Sequence, residues 1–285
     1  MITTKLTKKQ AYLWKQTNNG WEEIRNPWDS MDDISRFLPD CAYTTFRTYR
    51  HDYMLQPDSQ KERLQQTCHL SQKDINIDFE AIRKGLRGIL QSKNDYPDWR
   101  IRVSIDIQKN IGETYLSVGP LSVPEPEDYQ NGINVDIIRM SRDNPKAKLS
   151  AFIKSTIEIK KKIGRDIKEI IMVDDTGRML EGISSNVIII SDNTIWTAEE
   201  GVLSGITRGL VLDIIRDSGF AVCFKGFPIG DLKKCQEIFI TSASRAVLPV
   251  SRVDDLWISK KTPGPITETI MKKLNNLLEV KLEKI

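Results

Sequence analysis

Glu169-Ile-Ile-Met-Val-Asp174, Leu180-Glu-Gly-Ile-Ser-Ser-Asn186, Asn186-Val-Ile-Ile-Ile190, Thr194-Ile-Trp-Thr197 and Val202-Leu-Ser-Gly-Ile-Thr-Arg208 follow one another closely along this chain. The continuous β-branched runs predict strands covered on both faces. The polar, glycine-containing pieces that interrupt them exceed what a bare sheet requires. A glutamate next to a glycine, as in Glu181-Gly182, can turn its carboxylate into a cleft, and a solvated surface turn is the plainer reading. Ser204-Gly-Ile-Thr207 leads into a predicted helix, Thr207 to Ser218, closed by Gly219 in the C-cap region. Free amides and the helix dipole there favour an anion. A simple N-cap by Ser204 or Thr207 competes with that reading. A third hydroxyl-rich piece, Thr241-Ser-Ala-Ser-Arg-Ala-Val-Leu-Pro-Val250, follows the predicted strand Glu237 to Thr241.

Working outward, Ala42 to Tyr49 and Trp99 to Ile105 read as strands, rich in aromatic and β-branched residues. Ser59 to Leu70 reads as a helix, and Phe79, Ile82, Leu86, Ile89 and Leu90 repeat at helical spacing. Lys154 to Ile163 predicts an amphipathic helix with a solvated basic face. Pro265 to Ile285 reads as a terminal helix. Three prolines and two glycines between Val118 and Gly132 mark a linker. The expected organisation is α+β in two domains: residues 1–118, a linker over 119–132, and 133–285.

Composition narrows the chemistry. The 285 residues carry 42 basic and 39 acidic side chains, a net charge of +3, without the clustered excess of a nucleic-acid binder. Only two histidines, His51 and His69, are present, and the four cysteines (Cys41, Cys68, Cys223, Cys235) form no C-x-x-C pair. Metal and histidine-triad chemistry are therefore disfavoured. Acid–base work falls to lysine, to carboxylates or to a cofactor. The first ten residues lack the apolar core of a signal peptide, and no window is long and apolar enough to span a membrane, so a cytoplasmic protein is expected.

Taken together, Glu181-Gly-Ile-Ser-Ser-Asn186, Leu203-Ser-Gly-Ile-Thr-Arg208 and Thr241 through Pro249-Val250 resemble the fold-type IV (class IV) pyridoxal-phosphate aminotransferases, a family that includes branched-chain aminotransferase, D-amino-acid aminotransferase and aminodeoxychorismate lyase. The likeness extends from Thr44-Thr-Phe-Arg-Thr-Tyr49 and Arg63-Leu64 to Pro263-Gly-Pro-Ile-Thr267, nearly the whole chain. It implies a two-domain D-amino-acid aminotransferase-like fold, pyridoxal 5′-phosphate as cofactor and a homodimer.

The resemblance also implies roles. Glu181 is the partner of the pyridine nitrogen; Ile206 and Thr207 bind phosphate through amides and the Thr207 hydroxyl; Arg63 is the phosphate arginine. The catalytic lysine, which forms an internal aldimine, is Lys148 or Lys146, and the position 33 residues before Glu181 favours Lys148. Ala243 stands where many members carry a threonine or serine of the phosphate cup, and Ser242 or Ser244 can replace that hydroxyl. No tyrosine follows Lys148 at the usual distance. Arg47, Arg102, Tyr43 and Ala243 are the candidate substrate contacts. The implied reaction moves an amino group between an amino acid, branched-chain or otherwise aliphatic, and a 2-oxo acid. A lyase on the same cofactor and a non-catalytic binding protein on the same scaffold are the alternatives. No nucleic acid, membrane or metal is expected.

Overall fold

In chain order the elements are β1 (Tyr12–Thr17), β2 (Gly20–Glu23), α1 (Met31–Phe37), β3 (Cys41–Arg47), β4 (Tyr53–Leu55), α2 (Pro57–Leu70), α3 (Phe79–Gln91), β5 (Trp99–Asp106), β6 (Thr114–Pro120), α4 (Pro126–Asn131), β7 (Ile133–Arg139) and α5 (Ser150–Lys162). They continue with β8 (Ile167–Val173), β9 (Arg178–Gly182), β10 (Ser185–Ser191), β11 (Thr194–Trp196), α6 (Ile206–Asp217), β12 (Ala221–Cys223), β13 (Phe227–Pro228), β14 (Glu237–Ser242), β15 (Ala246–Val253), β16 (Leu256–Trp257), α7 (Pro265–Lys281) and β17 (Leu282–Lys284). The structure, a computed structural model, describes residues 11–162, 164, 166–259 and 261–285. The N-terminal segment discussed above and Ile163 lie outside the described residues. Two compact units result: residues 1–122 with 148–157 and 282–285, and residues 123–147 with 158–281.

The first unit is built on the five-stranded sheet β2-β1-β6-β5-β3. One sheet face, including Phe46, Ile101, Val103, Leu116 and Val118, packs in one core with Leu64 of α2 and with Phe79, Ile82, Leu86 and Leu90 of α3. The 3.6-residue spacing of that α3 set predicts the buried stripe, and Asp78 caps the helix by accepting from the Ala81 amide at 2.9 Å. The expected terminal helix is shorter than its apolar pattern suggests. It stops at Lys281, and Leu282–Lys284 pair with β4 instead. Ile285 is buried in the first unit's core, so apolar burial overrides helix continuation there.

The second unit is organised by strand closure. β10 pairs with β14, β14 with β15, β15 with β7, β7 with β8, β8 with β9, and β9 again with β10. The six strands thus form a closed path whose inward residues, among them Val187, Ile189, Ile238, Ile240, Val250 and Ile171, make a single core. Helices α6 and α7 contact the outer side of β14. That double coverage accounts for the unbroken apolar runs. Glu237 takes the Ile266 and Thr267 amides at 3.1 and 2.7 Å, which fixes the start of α7.

Two departures from a two-piece chain stand out. A short helix, α4, occupies part of the expected linker. Residues 148–157, including the first two turns of α5, belong to the first unit although they follow β7 in sequence. Lys154, expected on a solvated face, binds Asp40 at 2.8 Å and the Leu38 carbonyl at 3.0 Å.

Candidate active site

In the second unit the site is centred on Glu181, near the end of β9. Val173 pairs with Met179 and Ile171 with Gly182, so two steps along β8 match three along β9. This bulge reverses the alternation. Met179 remains in the inward core, whereas Glu181 shares the outward face with its register partner Asn186. The Glu181 carboxylate is almost fully buried. Its Oε2 accepts from Asn186 Nδ2 at 3.1 Å and from the Leu203 amide at 3.2 Å. Its Oε1 lies 2.7 Å from Arg142 Nε, with side-chain exposures of 2% and 7%. A carboxylate this deep requires such a counter-charge. Sequence reading missed Arg142, whose only signal was a lone arginine entering the Asn144-Pro turn.

Asn186 Nδ2 also donates to the Leu203 carbonyl at 2.8 Å. The loop before α6 is therefore tied to the same side chain that holds Glu181. A Cβ at Gly205 would overlap the Asn186 amide oxygen, which explains the glycine. Gly205 is the N-cap of α6 and supplies no side-chain cap, so neither Ser204 nor Thr207 fills the N-cap position. The helix begins with Ile206 and Thr207 amides that no cap side chain occupies, at the positive end of its dipole. Arg208, one residue on, anchors the helix start: it donates to the Ala198 carbonyl at 2.8 Å and to Glu199 Oε2 at 2.9 Å.

Thr241 is the register partner of Asn186 on β14 and lies on that same outward face. Its hydroxyl is buried without a hydrogen-bond partner, a costly state that a bound polar group would relieve. Beyond it the β14–β15 turn carries Ser242, Ala243 and Ser244, all half-buried. Glu181, Asn186, the start of α6 and Thr241 are thus brought together by one sheet face and one loop.

In the first unit Lys148 is pinned through its backbone. Its carbonyl accepts from the Tyr43 amide at 3.0 Å, and its amide donates to Thr67 Oγ1 at 3.3 Å. Its Nζ stands 5.1 Å from the centre of the buried Tyr43 ring. Thr67 also donates to the Arg63 carbonyl at 2.7 Å, so one hydroxyl links buried Arg63 on α2 to Lys148. Lys146 is differently placed, in the second unit: its Nζ donates to the Glu199 carbonyl at 2.5 Å. Burial works against the Glu199 charge, but Arg208 and Lys146 hold that carboxyl below its usual range.

The two arginines expected to meet a substrate carboxylate are already engaged. Arg102 is buried, donates to the Met31 carbonyl at 2.9 Å and to the Ser35 hydroxyl, and lies 5.3 Å from the Tyr43 ring centre. It anchors α1. Arg47 pairs with Asp98 at 3.0 Å and stacks 4.5 Å from the Tyr49 ring centre. Tyr43 is the member of this set that stands beside the lysine. Among the described residues no cluster of histidine, cysteine and carboxylate could hold a metal, and no helix is long and apolar enough to cross a membrane. All four cysteines are free.

A family model described as amino-transferase class IV matches residues 41–253. A Thermotoga maritima protein named "Probable branched-chain-amino-acid aminotransferase" is 24% identical over 249 residues, covering 84% of this chain and 88% of that protein. The D-alanine aminotransferase of Bacillus licheniformis is 32% identical over 162 residues, covering 55% of this chain and 56% of that one. Among solved structures, a hypothetical aminotransferase from Mycobacterium tuberculosis in its PLP-bound form superposes with a TM-score of 0.73 at 17% identity, over 93% of this chain and 97% of the other.

Proposed function

The chain belongs to the amino-transferase class IV family, whose model covers most of its length, and on that premise we propose that it is a pyridoxal-phosphate-dependent aminotransferase acting between an amino acid and a 2-oxo acid. The observation that carries this reading is the outward face of β9, β10 and β14. There Asn186 holds the buried, charge-balanced Glu181 and the loop leading into α6, beside the partnerless Thr241 hydroxyl and the open amide end of that helix. A cationic ring nitrogen and a phosphate are the groups that such donors and acceptors suit.

When bound, pyridoxal phosphate supplies the electron sink that lets a proton leave the substrate α-carbon. Glu181 would face the ring nitrogen and favour its protonated form. The Ile206 and Thr207 amides, the Thr207 hydroxyl, Arg63 and Ser242 would hold the phosphate, with Arg63 contributing paired donors. Lys148 would be the covalent residue and the proton carrier, its Nζ taking the proton from the substrate α-carbon and delivering it to the cofactor's exocyclic carbon. Its position over Tyr43, against the engagement of Lys146 by Glu199, supports that choice. Tyr43 would wall the substrate beside that amine. Arg47, Arg102 and Ala243 are weaker candidates for substrate contact, because both guanidinium groups are occupied and Ala243 has no polar side chain. The names of the relatives support aliphatic substrates, branched-chain or D-alanine-like. The family resemblance supports a homodimer, and the four free cysteines suit a reducing compartment such as the cytoplasm.

The test is a half-reaction screen. Cofactor-loaded protein is mixed with L- and D-amino acids singly, and the shift from the pyridoxal to the pyridoxamine spectrum is recorded. Conversion by aliphatic amino acids is expected. A protein that takes up cofactor yet converts none of them refutes the transaminase reading, and pyruvate release without conversion would favour a lyase.

A further inference from the structure

Helix α2 buries polar residues beside its apolar ones. Leu64 and Cys68 belong to the core of the first unit. Gln60, Arg63 and Thr67, spaced three and four residues apart, form a row on one helix face. That row is buried as deeply, at 3%, 8% and 0% exposure. Polar groups in such a place need partners. Gln60 has Thr44 of β3, whose hydroxyl donates to its amide oxygen at 2.6 Å. Thr67 meets the segment that bears Lys148. That segment lies along β3, an edge strand of the five-stranded sheet. The Tyr43 amide donates to the Lys148 carbonyl at 3.0 Å, Ala42 bridges Leu149, and the Cys41 amide donates to Ser150 Oγ at 2.9 Å. β3 thus takes the carbonyl side of Lys148. Its amide side goes to α2, through Thr67 Oγ1 at 3.3 Å.

We infer that Thr67 is a positioning residue for the lysine chemistry, acting through the Lys148 backbone; this rests on the aminotransferase reading above. The polarity of its hydroxyl suits the task. A threonine hydroxyl has one proton, and Thr67 gives it to the Arg63 carbonyl one turn back at 2.7 Å. Only acceptor capacity is left, and a main-chain N–H is what such an oxygen takes. With the Lys148 carbonyl fixed by β3 and its amide by α2, the peptide planes on both sides of its Cα are set. They define the root from which the amine reaches its place 5.1 Å from the Tyr43 ring centre. Bond formation and proton transfer at an amine depend steeply on that placement. A displacement of about 1 Å can cost roughly a hundredfold in rate. Valine keeps the shape of threonine but removes the acceptor, whereas serine keeps the acceptor and loses a methyl group.

The experiment compares wild type, Thr67→Val and Thr67→Ser as full chains, with melting curves confirming the fold. Pyridoxal phosphate is added to apo-protein, samples are quenched with borohydride at intervals, and the rate of Lys148 modification is read by peptide mass. The half-reaction with an amino acid that converts the wild type is followed in single turnover over a range of concentrations. Thr67→Val should slow both processes by about tenfold to a hundredfold, with the half-saturating amino-acid concentration unchanged. Thr67→Ser should stay near wild type. A role confined to packing predicts the opposite order, because valine fills the volume and serine leaves a gap. Thr67→Val at the wild-type rate, Thr67→Ser as slow as Thr67→Val, or a loss that lies in half-saturation alone would each overturn the inference. If Thr67→Val fails to fold, Thr67→Ala against Thr67→Ser decides, since the two differ only in the hydroxyl: equal rates overturn the inference. A wild type that forms no bond at Lys148 refutes the aminotransferase reading itself, and this inference with it.

Discussion

Replacing Arg142 by methionine removes the counter-charge of Glu181 while keeping most of the side-chain volume. The pair is 2.7 Å apart and both side chains are almost wholly buried, so water cannot take over the solvation of the carboxylate. Asn186 Nδ2 and the Leu203 amide, which stay in place, are neutral donors. Leaving one member of a buried ion pair unmatched costs about 3–5 kcal/mol. For a chain of this size each kcal/mol lowers the melting temperature by about 2–4 °C, which places the expected drop at roughly 6–20 °C. The penalty belongs to the charge rather than to lost packing. Adding Glu181→Gln to Arg142→Met should therefore restore most of the stability, although Glu181→Gln is itself expected to impair cofactor chemistry. Differential scanning calorimetry of the wild type, both single variants and the double variant forms the cycle. An Arg142→Met protein that melts with the wild type, or a double variant less stable than Arg142→Met alone, would refute the reasoning.

Three further outcomes are expected. Lys148→Ala should lower transamination by at least about a thousandfold and Lys146→Ala only slightly, measured as turnover at saturating cofactor, because proton transfer by a positioned group contributes roughly 10²–10⁴-fold and the covalent role is lost as well. Gly205→Ala should destabilise the protein by about 1–3 kcal/mol in urea melts and weaken cofactor binding, since the new methyl collides with the Asn186 amide. Burial acts against the Glu169 charge, but Arg245 and the Ser184 and Ser185 hydroxyls outweigh it and hold the carboxyl below the ordinary range. Its stabilising contribution is then present above the unfolded glutamate value, about 4.3, and is lost as pH falls through the lower folded value. Glu169→Gln should flatten that acid loss in urea melts recorded from about pH 7 to pH 3.

The periodic parts of the fold were legible. α3 follows from helical spacing, α6 from a run closed by Gly219, and the apolar runs of β8, β10 and β14 from coverage on both faces. What pattern could not show was set by long-range pairing. The closure of β9 onto β10, the bulge that turns Glu181 outward and the switch from helix to strand at Leu282 depend on partners distant in sequence. The same divide runs through the candidate site. Glu181, the start of α6 and the hydroxyl-rich turn were visible as local motifs. Arg142 was not, because an arginine in a loop reads alike whether its carboxylate lies across a barrel or in solvent. Arg102 shows the converse. Its strand position suggested a substrate contact, and its guanidinium is taken up by α1, which no spacing rule reports.

Borohydride reduction of the cofactor-treated protein, followed by peptide mass mapping, tests the central claim most directly, because it makes any lysine–cofactor bond permanent and locates it. The expected result is one modified peptide carrying the cofactor on Lys148, absent from Lys148→Ala and retained in Lys146→Ala. Modification at Lys146, modification spread over surface lysines, or none at all would contradict the account.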